Sequence, residues 1–431
     1  MPRGGVLVAR EVARALGAPL HVFVARKLGV PGLEEVAIGA IAEGSSAIVL
    51  DGSAEYLGVP STLVDRIAQR ERREVARRAH LYRAGRALPD LRGRTVVLVD
   101  DGLASGATLR AAVRALRALG ARRLICAVPV ASADGSREVE HEADQLLALA
   151  TPEPFETVSQ WYEEFEAVTD EEVLVALGHQ SSTYLRPVKR HEGVIKEQNV
   201  SIELDADRSL LADVGPPDGC AIGGSTVHGL MIFAHGGGSS RQSYRNRFLA
   251  GWLRMNGWST LRVDLLTEHE QREDAPDGMH RFDVAMIAKR LGTAIDWAVQ
   301  ERVPGAARIM LFGASTGAAA AVVAAADRPS IVAGVLARGG RLDLAGEALT
   351  RLRAPLLMIV GARDPLTLRA NRDALRAVRG DVDLKLVRGA GHTFEEPGAI
   401  GAVGSHVERW LARRSGQLQR PWWRRILQHT F

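Results

Sequence analysis

Short apolar segments alternate with segments rich in Ala, Arg and Leu along most of the chain, and this alternation restricts the fold more than any other feature. Strands that alternate with helices are typical of α/β proteins with parallel sheets. The alternation occurs in two series, separated by a polar stretch at 178–199 that contains one proline. The sequence therefore predicts two α/β domains, at 1–178 and 200–415, a linker at 179–199, and a basic aromatic tail at 416–431.

Each series supplies its own strands. In the first series we predict strands at 20–28, 95–102 and 123–131, and helices at 6–16, 63–84, 107–119 and 138–149. In the second we predict strands at 228–236, 259–267, 308–315, 331–340, 354–364 and 383–392, with antiparallel edge strands within 199–227. Nearly continuous apolar strands indicate sheets that helices cover on both faces. We therefore expect two mostly parallel sheets flanked by helices.

Composition excludes several classes of protein. Of the 431 residues, 46% are hydrophobic and 25% are charged, which is typical of a globular chain and not of a disordered or fibrous one. Only two cysteines occur, Cys126 and Cys220, so neither a disulfide framework nor a cysteine-based zinc site is expected. We predict no metal site built by the protein alone. The first residues lack the apolar core of a signal peptide, and a cytoplasmic location is expected.

The basic balance of the chain comes from its second half. Residues 1–180 carry 21 basic and 25 acidic residues, whereas residues 181–431 carry 34 and 26. Residues from Arg413 onward contribute five of these eight excess positive charges, so the charge does not indicate a nucleic-acid partner. The tail also contains Trp422-Trp423 and Arg424-Arg425, which suit an anionic membrane surface or, as the favoured alternative, docking on the adjacent domain.

The first chemical centre follows the strand at 95–102. Asp100 and Asp101 precede a loop of small residues, and a helix is predicted to begin near Ala107. Such a loop directs backbone N–H groups and the helix dipole at an anion, and Ser105 and Thr108 add hydroxyl donors. The carboxylates suit ribose hydroxyls or a water molecule of a Mg²⁺ shell. The alternative is an acidic strand end followed by an ordinary helix cap.

This segment resembles the phosphoribosyl-diphosphate (PRPP) loop of type I phosphoribosyltransferases. Segments 2–5, 26–29, 39–44 and 151–165 resemble a predicted bacterial branch of that family, so the likeness covers about 1–178. The resemblance implies that Asp100 and Asp101 bind the ribose. It implies that the 5′-phosphate is bound by Ser105, Gly106, Ala107 and Thr108, and that the pyrophosphate is bound by Arg3, Gly4 and Lys27. It also implies Mg²⁺ as a cofactor if the domain is an active transferase.

Two features of this domain leave alternatives open. Trp161 or Tyr162 could stack a nucleobase, although a core position is the favoured interpretation for both. The family places a strand before the pyrophosphate loop, yet only two residues precede Arg3 here. We therefore expect the first strand of this sheet to be missing, Arg3 to lie in a mobile segment, and PRPP affinity to be weak.

The second chemical centre is the segment Gly313-Ala314-Ser315-Thr316-Gly317, which follows a predicted strand and precedes a helix. This is the G-x-S-x-G pattern of a nucleophile elbow in its required context. Asp364 and His392 end later strands, and the order Ser, Asp, His is that of the α/β-hydrolases. We predict Ser315 as the nucleophile, His392 as the general acid/base and Asp364 as the acid that orients it.

The loop after the first strand of this domain completes the pattern. In His235-Gly236-Gly237-Gly238, the N–H of Gly237 is predicted to form an oxyanion hole with the N–H of Thr316, while His235 is expected to be structural. Residues 200–415 resemble the dienelactone-hydrolase-like branch of the α/β-hydrolases in the segments 233–241, 313–321, 360–365 and 389–397. The resemblance implies an enzyme that hydrolyses esters or lactones through an acyl-enzyme, without a cofactor.

Four arginines lie at or beyond strand ends of this domain: Arg241, Arg245, Arg338 and Arg341. They either bind an anionic substrate or pair with Asp343, Glu395 or Glu396. Three functions remain open for the whole chain. It is a bifunctional enzyme, a hydrolase with an inactive domain that senses PRPP or a nucleotide, or an interaction protein that acts through its tail.

Overall fold

The computed structural model describes residues 1–50, 52–165, 168–178, 197–218, 227–274 and 280–414. The tail at 416–431, nearly all of the linker, and Cys220 lie outside the described residues. The chain divides into two compact units, the first formed by N-terminal segments and the second formed mainly by the C-terminal part. Two short segments, Pro31–Leu33 and Glu55–Val59, group with the second unit. Among the described residues, no helix has the length and apolar content needed to cross a membrane.

The first half of the chain alternates helices and strands. Its helices are α1 Gly4–Leu16, α2 Ser53–Tyr56, α3 Ser61–Tyr82, α4 Ala107–Ala118, α5 Ala133–Glu140 and α6 Asp170–Ala176. Its strands are β1 Ala25–Val30, β2 Leu33–Ala42, β3 Val49–Leu50, β4 Thr95–Val99, β5 Arg123–Val130 and β6 Gln145–Ala150. They form two three-stranded sheets, β1-β2-β3 and the parallel sheet β4-β5-β6.

The parallel sheet forms because α4 covers its apolar face. Alternate residues of β5 are buried, and α4 turns a face of alanines, leucines and a valine to the core. Parallel strands joined through a helix are the expected result of this pattern. The loop that precedes α4 therefore lies where β4 ends, which is where the sequence predicts phosphate binding.

Two local predictions in this half are wrong. The helix predicted at 138–149 ends at Glu140, and Gln145–Ala150 forms β6. Its register beside β5 is held by backbone bonds from Asp144 N to Leu124 O and from Ala131 N to Ala150 O. Pairing with an existing strand outweighs local helical preference. The strand predicted at 20–28 begins only at Ala25, and β2 and β3 had not been expected.

In the described part of the chain, α1 is the first element, and it begins at Gly4. An apolar cleft of about 500 Å³ is lined by residues of β4, including Val97, together with Leu16 and Phe23. Arg3 occupies the N-cap position of α1 without a capping hydrogen bond from its side chain, and Met1 is buried. The mobility expected for this segment stays a prediction.

The second half of the chain forms one eight-stranded sheet. Its strands are β7 Gln198–Glu203, β8 Ser209–Gly215, β9 Gly229–Ala234, β10 Trp258–Val263, β11 Ile309–Ala314, β12 Val332–Arg338, β13 Leu356–Gly361 and β14 Val382–Val387. Its helices are α7 Tyr244–Met255, α8 Glu268–Glu273, α9 Val284–Gln300, α10 Thr316–Asp327, α11 Ala348–Arg351, α12 Pro365–Leu375 and α13 Ala399–Arg414.

The strand order is β14-β13-β12-β11-β9-β10-β8-β7, and neighbouring strands are parallel except in the pairs β10–β8 and β8–β7. Every residue of β9, β10, β11 and β13 is buried, so helices cover both faces of the sheet, as predicted. The predicted fold class, two α/β domains with mostly parallel sheets, is thus confirmed. The carboxyl ends of β9, β11, β12, β13 and β14 meet at one edge of the sheet, where ligands bind in such folds.

Candidate active site

Ser315 lies at the sharp turn between β11 and α10. Its φ of 49° and ψ of −121° are strained for a residue with a side chain. The turn is tight because two glycines allow close packing. A Cβ on Gly313 would lie 2.4 Å from Cα of Ala318, and one on Gly317 would lie 2.4 Å from the carbonyl oxygen of Ala234. This is the geometry of a nucleophile elbow, which presents its serine at the sheet edge.

The structure brings Ser315, His392 and Asp364 together in a chain of hydrogen bonds. Nε2 of His392 lies 3.4 Å from Oγ of Ser315, and Nδ1 lies 2.7 Å from Oδ2 of Asp364. Burial would raise the pKa of Asp364, but hydrogen bonds from Thr367 and His392 outweigh this effect and lower it. Asp364 is therefore ionised where it can hold the ring of His392.

Thr367 is a site residue that sequence reasoning missed. Its buried side chain lies on the first turn of α12, with Oγ1 3.2 Å from Nδ1 of His392, and its backbone N–H donates to Oδ1 of Asp364 at 3.1 Å. The sequence did contain a signal for this contact. Thr367 stands three residues after Asp364, and the side chain of a helix N-cap residue accepts a hydrogen bond from the backbone N–H at that position.

The predicted oxyanion residues also lie together, with one difference. The N–H of Gly237 donates to Oγ1 of Thr316 at 3.1 Å, so this predicted donor already has a partner. The loop is close to the nucleophile, because a Cβ on Gly236 would lie 2.9 Å from Cβ of Ser315. His235 is buried, and its Nε2 accepts from Leu265 N at 3.0 Å, as befits the structural role expected for it.

A cavity of about 490 Å³ opens beside this loop. Its lining includes His235, the three following glycines, Ser240, Ser243, Arg245 and Leu266. The volume lies within the range usual for small-molecule sites. Because Gly236 lies both in this lining and against Ser315, the cavity adjoins the nucleophile.

Three of the four predicted arginines have acidic partners. Arg241 forms ion pairs with the buried Asp213 and Asp264. Arg341 lies 2.7 Å from Asp343. Arg245 lies 2.8 Å from Glu395. The pairing alternative therefore describes these three side chains, whereas Arg338 is buried and has no acidic partner among the described residues.

The predicted phosphate site of the first domain has a compact arrangement. Asp100 and Asp101 follow β4, and the loop leads to α4 through Gly106, whose φ of 78° favours glycine. Ser105 is exposed, and Thr108 lies on the first turn of the 12-residue helix α4, whose N-terminus favours anions.

Gly4 packs against the acidic pair. A Cβ on Gly4 would lie 2.1 Å from Oδ2 of Asp101, and one on Gly5 would lie 2.5 Å from Oδ1 of Asp100. Burial raises the pKa of Asp100 to about 7, against the opposing charge of the Met1 ammonium group. Burial raises the pKa of Asp101 as well. The pair therefore carries less negative charge near neutral pH than two exposed aspartates would.

The remaining predicted residues of this domain have other surroundings. Arg3 faces Asp170 at 4.0 Å, and Lys27 is exposed on β1, in the other sheet. Tyr162 donates its hydroxyl to the carbonyl oxygen of Asp101 at 2.5 Å, so it borders the acidic pair. Trp161 is 42% exposed, which shows that the core interpretation is wrong for this side chain.

No group of three or more His, Cys, Asp or Glu side chains that could hold a metal ion occurs in the described part of the chain. Asp100 and Asp101 offer the oxygen atoms that Mg²⁺ prefers, but their raised pKa values disfavour direct binding. Mg²⁺ as a cofactor of this domain therefore stays a prediction.

Comparisons with known proteins find a different family in each half of the chain. Residues 1–157 match the family model for the phosphoribosyl transferase domain, and residues 237–419 match the model for the dienelactone hydrolase family. A Mycobacterium tuberculosis H37Rv protein named "Putative phosphoribosyl transferase" is 39% identical over 411 residues, covering 95% of this chain and 91% of that protein.

Each half also has a separate relative. "Bifunctional protein PyrR" of Deinococcus deserti is 31% identical over 149 residues, which are 34% of this chain and 80% of that protein. The crystal structure of a dienelactone hydrolase from Anabaena variabilis is 40% identical, with a TM-score of 0.47, and the match covers 51% of this chain and 97% of that one. The chain therefore belongs to the same family as the mycobacterial protein, and it joins a phosphoribosyltransferase-like domain to an α/β-hydrolase domain of the dienelactone hydrolase family.

Proposed function

We propose that the second domain is a serine hydrolase of carboxylic esters or lactones. The observation that carries the proposal is the hydrogen-bonded series Ser315, His392, Asp364 at the carboxyl edge of the sheet. A hydroxyl with its own base, and a base with its own orienting acid, is the arrangement that nucleophilic catalysis requires.

In the proposed reaction, Oγ of Ser315 attacks the carbonyl carbon while Nε2 of His392 takes the hydroxyl proton. Asp364 stabilises the resulting imidazolium through Nδ1. His392 then gives the proton to the leaving oxygen, and an acyl-enzyme on Ser315 remains. A water molecule, deprotonated by His392, hydrolyses this ester in the second half of the reaction.

The oxyanion that forms on the carbonyl oxygen needs N–H or O–H donors that already point at it. The N–H of Thr316, the first residue of α10, follows the nucleophile directly. Because Oγ1 of Thr316 accepts from Gly237, its own hydroxyl proton is free to turn elsewhere. We propose Thr316 N–H as the first donor, with Gly237 acting directly or through the Thr316 hydroxyl.

We propose PRPP binding as the function of the first domain, on a separate observation. Asp100 and Asp101 lie at the end of β4, and the loop 105–108 leads to the N-terminus of α4. The loop would hold the 5′-phosphate and the carboxyl groups the ribose hydroxyls, while Mg²⁺ would supply charge neutralisation for the diphosphate. Since burial raises the pKa of Asp100 to about 7, affinity should be weak at neutral pH and should rise above it.

One preparation of the full chain tests both proposals. A fluorophosphonate probe should label the wild type and Ser330→Ala, a change at an exposed serine, but not Ser315→Ala. Hydrolysis of a small aryl ester should fall about 10⁴-fold or more in Ser315→Ala, because triad members act as a unit. Retention of more than about a tenth of the activity would exclude Ser315 as the nucleophile.

Titration of Mg-PRPP into the same samples separates the remaining hypotheses. Labelling together with PRPP binding, but without transfer to any of the common nucleobases, supports a sensor domain attached to a hydrolase. Labelling without PRPP binding excludes both the bifunctional enzyme and the sensor. Absence of labelling and ester hydrolysis would leave the interaction hypothesis.

A further inference from the structure

Arg338 is the last residue of β12 and lies directly beside the nucleophile, since the backbone N–H of Ser315 donates to its carbonyl oxygen at 3.2 Å. Only 7% of Arg338 is exposed, and its buried Nε and Nη1 atoms have no hydrogen-bond partner in the described structure. Its guanidinium group lies 5.9 Å from the centre of the Phe394 ring. A buried cation without an anion is costly, so such a side chain indicates a missing partner.

A second guanidinium group lies near the first. Burial, followed by the charge of Arg245, lowers the pKa of Arg338 to about 10. Arg245 lines the cavity beside the glycine loop. The side chain of its partner Glu395 is 61% exposed. Glu395 can therefore separate from Arg245 and remain solvated by water. Arg245 thus brings one positive charge to the cavity lining, and Arg338, which does not itself line the cavity, adds a second positive charge near it.

The N-terminus of α7 lies beside the same cavity. This helix has 12 residues, begins at Tyr244 and is capped by Ser243, whose side chain accepts from Asn246 N. Ser240, Ser243 and Arg245 all line the cavity. The first N–H groups of a helix have no partner within it, and they favour an anion at this position.

We propose that Arg338, Arg245 and the N-terminus of α7 form a phosphate subsite, and that the substrate of the hydrolase carries a phosphate monoester besides its ester or lactone carbonyl. This inference rests on the proposed function of the second domain. A phosphate dianion has enough charge and acceptor oxygens to engage both guanidinium groups and the helix N–H groups together, whereas a carboxylate has two oxygens and one charge.

The first test measures binding without catalysis. Inorganic phosphate is titrated into full-length Ser315→Ala by calorimetry at low ionic strength. Adding Arg338→Met should weaken binding by about tenfold or more, the loss expected for one charged contact. Arg338→Lys should fall between the two. Arg341→Met is the matched control, because its side chain pairs with Asp343, and it should bind phosphate like the parent.

The stability of the variants provides an independent readout. Without phosphate, Arg338→Met should unfold at the same temperature as its parent or higher, because it removes a buried charge that has no partner. At the same phosphate concentration, the unfolding temperature of the parent should rise more than that of Arg338→Met. A marked loss of stability in both Arg338→Met and Arg338→Lys without phosphate would show a structural role and overturn the proposal.

The second test concerns substrate class. With active enzyme, an aryl ester bearing a phosphate on its acyl chain should have a lower KM than a neutral ester of similar size, and Arg338→Met should reduce this preference by about tenfold or more. Equal KM values for the two esters, or a preference for a carboxylate-bearing ester over the phosphate ester, would overturn the phosphate assignment. If the wild-type chain binds phosphate but hydrolyses neither ester, the proposed hydrolase function is contradicted and the phosphate subsite is not.

Discussion

Asp100 shows how one buried carboxyl group connects stability with ligand binding. Its pKa is about 7 in the folded chain, against an ordinary value of 3.8. Below pH 4 it is protonated in both the folded and unfolded states. Between pH 4 and pH 7 the unfolded chain loses this proton while the folded chain keeps it, so Asp100 destabilises the fold progressively as the pH rises.

Asp100→Asn should therefore be more stable than the wild type at pH 8, by at most about 4 kcal/mol, and nearly equal to it at pH 4. Urea unfolding at both pH values measures the difference. Asp90→Asn is the control, because Asp90 is exposed and hydrogen bonds from the backbone and side chain of Arg92 lower its pKa. Its change should have the opposite sign. A pH-independent effect of Asp100→Asn would contradict burial as the cause.

Thr367 is a positioning residue of the proposed catalytic series, since its side chain contacts His392 and lowers the pKa of Asp364. Thr367→Val keeps the shape of the side chain and removes the hydroxyl. We expect kcat/KM to fall about tenfold, as for one hydrogen bond to a charged group, and the pKa of Asp364 to rise, because its carboxylate loses the hydrogen bond from Thr367. Thr367→Ser should restore both. An unchanged pH profile in Thr367→Val would limit Thr367 to packing.

At the scale of elements, β11, the elbow at Ser315 and α10 form a unit in which the backbone of the helix packs closely against the backbone of the strand. Ten of the twelve residues of α10 are buried, most of them alanines, so the helix lies tightly on the sheet. Gly313→Ala would place Cβ 2.4 Å from Cα of Ala318, and backbone atoms cannot give way cheaply. The elbow therefore tolerates no side chain at Gly313 without a shift of the helix.

We expect Gly313→Ala to destabilise the chain by about 1–3 kcal/mol and to reduce ester hydrolysis through the displaced Ser315. The free energy of unfolding in urea and the turnover of a neutral ester measure the two effects. Gly380→Ala is the matched control, because its Cβ would meet no atom closer than 3.6 Å, and it should lie within about 0.5 kcal/mol of wild type. Similar stability of the two variants would contradict the packing argument.

At the scale of the whole molecule, the two domains have separate hydrophobic cores. One includes Leu109, Leu124 and Val128, and the other Ile232, Leu311 and Met358. Residues that share a core tend to open together, whereas separate cores permit separate opening. Each ligand is therefore expected to stabilise the core that supports its own site.

Hydrogen exchange on the full chain tests this expectation. Mg-PRPP at about 100 times its Kd should stabilise the site by about 2.7 kcal/mol and slow exchange within β4 and α4, with β11 and α10 unchanged. Fluorophosphonate labelling of Ser315 should have the reverse effect. If either ligand slows exchange at both sites equally, the two domains form a single cooperative unit.

Much of this organisation could be predicted from the sequence because it depends on short-range signals. Apolar strands, the elbow around Ser315, and the order of Asp364 and His392 follow from residue type and spacing, and parallel strands bring their carboxyl ends to one edge. The likeness of 95–108 to a phosphate loop is equally local. The fold class and both family resemblances were therefore within reach of the sequence.

Tertiary structure decided the features that depend on partners distant in sequence. The segment Gln145–Ala150 is a strand because β5 offers it a hydrogen-bonding edge, although its local pattern is helical. Sequence reasoning treated Arg241 and Arg338 alike, but packing supplies aspartates to Arg241 and leaves Arg338 buried without an anion. Local sequence determines which groups are available, whereas burial and pairing are long-range properties that only the packed chain determines.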